Sequence, residues 1–251
     1  MSKYCQNCNA QLSGNFCSNC GQRSDTHKIN LHFLWHDIQH GLLHVEKGIL
    51  FTVKELFTRP GHTIREFLQG KRVNHFKPIS LVLVLAGIYG LLSHYFEINL
   101  LSNNIEITGS GEKFEQAKST VENMSTWISQ HYSVFALLQI PVFSIGTYLC
   151  FRKAGYNFIE QIVINAFITA QKLIVHIVLF PFYYLFNNTP YLKTTARLTD
   201  VIGYAIAFWT IFQLFNMYGY FQRTWRTLLS LIIPLIIVLL TLLLLSKFIL
   251  N

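Results

Sequence analysis

The chain has 251 residues, of which 51% are apolar and 13% carry charge, roughly half the usual charged share. Such a composition argues against a soluble domain. The formal +8 is not read as a nucleic-acid footprint, because the positive charge gathers beside apolar stretches, where it orients a membrane protein and draws anionic lipid.

The first 28 residues are polar and cysteine-rich without an apolar stretch, so no signal peptide is expected. Within them, CQNCNAQLSGNFCSNCGQ (5–22) holds two CxxC pairs, Cys5/Cys8 and Cys17/Cys20, separated by eight residues. Each pair can set two thiolates on one tight turn, and two facing turns make a tetrahedral four-sulfur zinc site. Gly14 and Gly21 suit the turns, and Phe16 is expected to supply a minimal core. So small a segment must take its folding energy from the metal. Two disulfides or a redox pair are the rivals, and a cytoplasmic location disfavours stable disulfides. With all four positions filled by protein, one structural zinc per chain is expected, without an open position for chemistry. Cys150 falls in an apolar stretch and reads as a packed residue.

Residues 30–57 read as an amphipathic helix. At 100° per residue, Leu31, Leu34, Trp35, Ile38, Leu42, Val45, Ile49, Val53 and Leu56 fall in one arc of about 100°. That side is expected to seek the membrane surface or the chain's own spans. His32, His36, His40 and His44 lie on the other side. They read either as a solvated face or, since residues four apart are helical neighbours, as a second metal site in which Asp37, His40 and His44 converge best. HxxxH spacing near a membrane also suggests di-metal hydroxylases, which need more histidine clusters than this chain offers. Next, Pro60 and Gly61 break the chain, and 62–70 is expected to form a short helix with Ile64, Phe67 and Leu68 inward. Arg59, Arg65, Lys71 and Arg72, with Lys77, then stand close to the first span, either gripping lipid phosphates or acting as ordinary orientation charge.

Five apolar stretches can cross a bilayer, which takes about 20 helical residues: about 79–96, 131–151, 159–186, 198–218 and 227–250. The third is the weakest, interrupted by Lys172 and bent or ended by Pro181. The polar connection 97–130 is expected to be external. With the N-terminus inside, fourteen Lys/Arg lie in cytoplasmic segments against five outside, a positive-inside bias to which residues 1–78 contribute ten. The expected organisation is therefore a zinc ribbon (1–24), cytoplasmic amphipathic and basic segments (25–78), and an all-α transmembrane domain (79–251). No internal repeat supports a transporter of inverted halves.

In the third stretch Gln161, Asn165, Thr169, Lys172 and His176 follow one another at intervals of four, four, three and four. Helical projection puts all five within about 80°, so one stripe of this span is polar. Lys172 sits about 18 Å from the nearer end at 1.5 Å per residue, deep for a charge that normally faces protein or a water-filled cavity. Expected neighbours are Gln139, Gln213 and Asn216, with Glu160 or Asp200 as counter-charge. The stripe reads either as a hydrogen-bonded packing seam or as a solute or proton path. His94, His131 and His176 are all expected toward the outer side, without a shared motif.

The stretches GNFCSNCGQ (14–22), HVEKGILFTVKELFTRPGHTIREFLQGKRVNHFKPIS (44–80) and, more weakly, YNFIEQIVINAF (156–167) resemble a bacterial membrane-protein family catalogued as domain of unknown function 3667. The resemblance implies a zinc-ribbon membrane protein of the inner membrane and brings no established activity. Gln161 stands where many relatives carry His, which argues against a metal site within the third span.

Three functions remain open: a non-enzymatic scaffold docking a cytoplasmic protein partner through its ribbon, a small transporter using the Lys172 stripe, and a membrane metalloenzyme acting on lipid. A saturated zinc site favours the first. No paired acid and base, nucleophile elbow or phosphate-cradling loop supports the third. Anionic membrane lipids are expected partners, a homo-oligomer is compatible, and no nucleic acid is expected.

Overall fold

The structure is a computed structural model describing residues 4–24, 26, 29–31, 34, 48–98 and 111–250. Asp37, His40 and His44, the rest of the histidine row, and Trp35, Ile38, Leu42 and Val45 of the apolar arc lie outside the described residues, as do residues 99–110.

Nine α-helices are described: α1 (Ile49–Thr58), α2 (Pro60–Leu68), α3 (Pro78–Tyr95), α4 (Glu112–Gln130), α5 (Tyr132–Phe151), α6 (Phe158–Val178), α7 (Phe180–Leu185), α8 (Tyr191–Leu214) and α9 (Tyr220–Leu250). The all-α expectation holds, and among the described residues the only β pairing is two isolated bridges in the cysteine-rich head. Among the described residues four helices are long and apolar enough to cross a membrane: Pro78–Tyr95, Tyr132–Ala154, Phe158–Val178 and Tyr220–Thr241. The predicted fourth span, 198–218, forms as α8 but is not among these four, and the first half of α8 carries Lys193, Arg197 and Asp200.

Pro78 sits in the first turn of α3, where a missing N–H costs nothing. α6 is opened by a capping box: Glu160 N–H donates to Asn157 Oδ1 and Asn157 N–H donates to Glu160 Oε2, each at 2.8 Å. Pro181 ends the third stretch, since α6 stops at Val178 and the short α7 begins at Phe180. Within the polar 97–130 connection, residues 112–130 are helical. Their Glu, Lys, Gln, Ala and Met content favours a helix.

α6 is the hub, packing against α3, α5 and α8. Its span is the most enclosed of the four, 61% buried against 17% for α9. α5 meets α9 at Gly146, where any Cβ would run into the Ser230 carbonyl and the ring of Pro234. Small residues permit such close approach between membrane helices. At one end of the bundle Phe151 stacks on Phe215 at 3.8 Å, and Arg226 Nη1 donates to the Cys150 carbonyl at 3.0 Å. At the other end Tyr89 meets Tyr132 at 4.6 Å and Phe96 meets Phe180 at 5.7 Å.

The α1–α2 hairpin lodges against the spans. Leu56 and Ile64 are fully buried, and Phe67 meets Phe167 of α6 edge-on at 5.2 Å. Gly61 N–H donates to Gln213 Oε1 at 2.6 Å, and Arg65 Nη2 donates to the Gln213 and Leu214 carbonyls at 3.0 and 2.7 Å. A cation on these last carbonyls satisfies groups that α8 itself leaves unpaired and opposes the negative end of its dipole. The apolar side of α1 thus meets the chain's own spans. Leu31, placed on that same side by periodicity, is 69% exposed.

Candidate functional site: an intramembrane cavity and a four-cysteine head

The polar stripe of α6 opens into a cavity of about 280 Å³ between α5 and α8, with Thr169, Lys172 and His176 on its wall. Lys172 lays its methylenes on Gly203, where an added Cβ would stand 3.4 Å from Lys172 Cγ. Its Nζ lies 4.4 Å from the Tyr204 ring centroid and 5.4 Å from that of Phe143. Ring faces stabilise a cation best where water is scarce. Among the described residues no carboxylate oxygen comes within 4.0 Å of it. Asp200, on the same cavity wall, points instead to His176, with Oδ1 3.6 Å from Nε2. The opposite ring nitrogen, Nδ1, is hydrogen-bonded to the Tyr183 hydroxyl at 2.9 Å.

Of the two carboxylates offered as counter-charge, Asp200 is therefore at the cavity, whereas Glu160 closes the capping box at the far end of α6. Gln139 lines the cavity as expected. Gln213 is spent on Gly61, and Asn216 is exposed beyond the end of α8. The remaining stripe residues run from the cavity toward the head. Asn165 Nδ2 donates to Thr147 Oγ1 at 2.8 Å and to the Gln161 carbonyl at 2.9 Å, and Ser144 Oγ donates to that carbonyl at 3.2 Å. The amide of Gln161 itself is buried with neither its nitrogen nor its oxygen hydrogen-bonded. Gln171, which the stripe omitted, is fully buried beside it and bonds Leu56 and Thr210.

In the head, Cys5, Cys8, Cys17 and Cys20 bring their sulfurs within 4.8 Å of one another. Cys5 and Cys20 are 3.6 Å apart and Cys8 and Cys17 3.5 Å, far beyond a disulfide bond. Four sulfurs ~2.3 Å from a tetrahedral centre lie roughly 3.8 Å apart, so the spacing fits a metal ion. The two turns repeat one backbone pattern. Cys5 N–H donates to Ala10 and Asn9 N–H to Cys5, at 2.9 Å each, while Cys17 N–H donates to Gln22 and Gly21 N–H to Cys17, at 2.8 Å each. Asn9 (φ 57°) and Gly21 (φ 75°) take the matching left-handed positions. Gly14 does not, and Asn9 takes the position instead, a residue type that tolerates that region. Phe16 is 62% exposed and forms no core. The Ala10 backbone holds the Cys8 thiol down at about 6, whereas burial lifts Cys20 to about 11. A bound cation favours the thiolate at all four. Among the described residues no other cluster of three or more His, Cys, Asp or Glu side chains can hold a metal.

The head sits on the bundle through Gln22, whose Oε1 accepts from Arg72 N–H at 3.0 Å and Val73 N–H at 3.3 Å. The basic residues of this region have partners within the chain. Arg59 pairs with Glu55 and Glu66, Lys71 with Glu66 at 3.1 Å, and Arg72 Nε donates to the Phe67 carbonyl at 3.1 Å.

Fold and site together define an integral membrane protein, a helical bundle with a polar cavity and a four-cysteine head able to hold a metal ion. Residues 46–90, which hold the α1–α2 hairpin and most of α3, match the family described as protein of unknown function (DUF3667). The head lies outside that match. No curated protein and no solved structure matches the chain.

Proposed function

We propose that this is a solute-binding membrane protein of the bacterial inner membrane whose working site is the cavity at Lys172. The observation that carries this reading is the placement of Lys172 itself. An ammonium held in a membrane-embedded cavity on ring faces, while the nearby carboxylate turns to a histidine, is costly for packing alone. A hydrogen-bonded seam accounts for Asn165, Thr147 and Ser144, whose groups satisfy one another. It does not account for a charge facing open volume. In this reading the head carries one structural zinc, stays on the cytoplasmic side and braces the bundle through Gln22, and the chain performs no covalent chemistry. The test is a thermal-shift panel of small neutral, cationic and anionic solutes on the purified chain. At least one is expected to raise the melting temperature of the wild type and not of Lys172→Leu, with metal content equal in both. A panel with no Lys172-dependent shift overturns the reading.

A second reading rests on the head. Tyr4 and Phe16 are 55% and 62% exposed on a segment whose metal site would be saturated, which suits docking of a cytoplasmic protein. Crosslinking and pull-down of the intact protein against Cys17→Ser tests it: partners lost only in the variant support docking, and an unchanged set removes it.

A further inference from the structure

We propose that the Lys172 cavity takes a monoanionic organic acid, a carboxylate on an aromatic or short aliphatic body. The inference rests on the reading of the cavity as a solute site and names the class of solute.

The first argument is charge. Asp200 Oδ1 stands 3.6 Å from His176 Nε2, and no carboxylate oxygen comes within 4.0 Å of Lys172 among the described residues, so the ammonium faces the open volume without a carboxylate in contact. A single anionic group is its natural complement. A second negative charge would have no cation to meet and would lie in one cavity with the like-charged Asp200. That disfavours a phosphate dianion. A cationic solute would meet Lys172 itself, and like charges in a low-dielectric site cost more than a partly engaged carboxylate returns.

The second argument is the wall. Beyond the ammonium, Tyr132, Phe135, Phe143 and Tyr204 present rings, and Gln139 offers an amide donor for a carboxylate's second oxygen. Apolar walls with a few placed polar groups are how small-molecule sites combine affinity with orientation. The third argument is size. A volume of about 280 Å³ is roughly twice the ~150 Å³ of an apolar cavity that holds one benzene, which suits an acid of roughly ten non-hydrogen atoms.

The experiment is equilibrium dialysis of the full-length protein in detergent against four probes sharing one ring: benzoate, benzyl alcohol, benzylamine and phenyl phosphate. Benzoate is expected to bind saturably at one site per chain. Lys172→Met is expected to weaken it at least tenfold and Lys172→Arg to restore part of that loss. Asp200→Asn is expected to admit phenyl phosphate, which the wild type rejects. Metal content and melting temperature measured on each variant separate lost binding from lost fold. Binding of benzyl alcohol or benzylamine in place of benzoate overturns the choice of acid and leaves the solute cavity standing. Binding of none of the four, by chains that melt as the wild type does, overturns both.

Discussion

The side-chain amide of Gln171 donates to the backbone carbonyl of Leu56 at 2.7 Å, joining the middle of α6 to a helix 115 residues away in the chain. The same amide accepts from the Thr210 hydroxyl at 3.0 Å, so one fully buried side chain ties α1, α6 and α8 together. It lies at the junction where the α1–α2 hairpin enters the bundle.

Replacing Gln171 by Leu keeps most of the volume and strands two buried groups, each costing about 1–3 kcal/mol when left unpaired. The variant is expected to melt several degrees lower. Its hairpin should also be cut faster by trypsin at Lys71, whose side chain is 41% exposed just beyond α2. Unchanged melting and cleavage would mean that this tie does not hold the hairpin in place.

A pH dependence follows from His75, which is buried between the rings of Phe51 and Phe67, with Nδ1 lacking a hydrogen-bond partner. Burial lowers its pKa below 6.5, opposed by Glu55 and Glu66 and aided by Arg59. As pH falls through 6.5 the unfolded chain takes up a proton that the folded chain still resists. Stability is therefore full above that value and declines on the way down to the lower folded pKa. Melting at pH 5.5 is expected to fall further below melting at pH 7.5 in the wild type than in His75→Phe. Equal drops in the two chains would show that His75 is not the group responsible.

The close approach of α5 and α9 depends on Gly146. A methyl there meets backbone at Ser230, which cannot swing aside as a side-chain tip can. Gly146→Ala is expected to destabilise the bundle by about 1–3 kcal/mol, as overpacking does. Gly87→Ala is the control, since nothing lies within 4 Å of the methyl it adds. In a helix that substitution should be neutral or slightly favourable. The pair of melting temperatures decides the point.

For the head, elemental analysis of the purified chain is expected to find one metal per protein and none in Cys17→Ser. Stripping the metal should loosen the Gln22 contact, so amide exchange at Arg72 and Val73 should rise while exchange within α6 stays slow. Rapid exchange throughout the bundle would show that the head is not an independent unit.

Much of this arrangement was legible in local pattern. The cysteine spacing identified the four sulfurs that converge, because two short turns need little else to face each other. Four of the five predicted spans were legible from apolar runs, three of them beginning within a residue of the expected start, because burial of backbone hydrogen bonds leaves a helix as the natural form in lipid. The stripe of α6 was legible from period alone. Phe16 shows the limit: an aromatic residue in a small segment reads as core, yet a head built around four sulfurs buries Cys5 and Cys17 and leaves the ring outside.

What the sequence determined by itself is which face of each segment is apolar, polar or sulfur-bearing, since those properties repeat with the chain's own periods. Only the tertiary structure decided which faces meet. It set Asp200, not Glu160, at the Lys172 cavity, lodged α1 against Gln171, and spent Gln213 and Arg65 on closing the end of α8. The reason is physical: periodicity is a property of neighbours along one helix, whereas a partner across the bundle is chosen by the packing of all the helices at once.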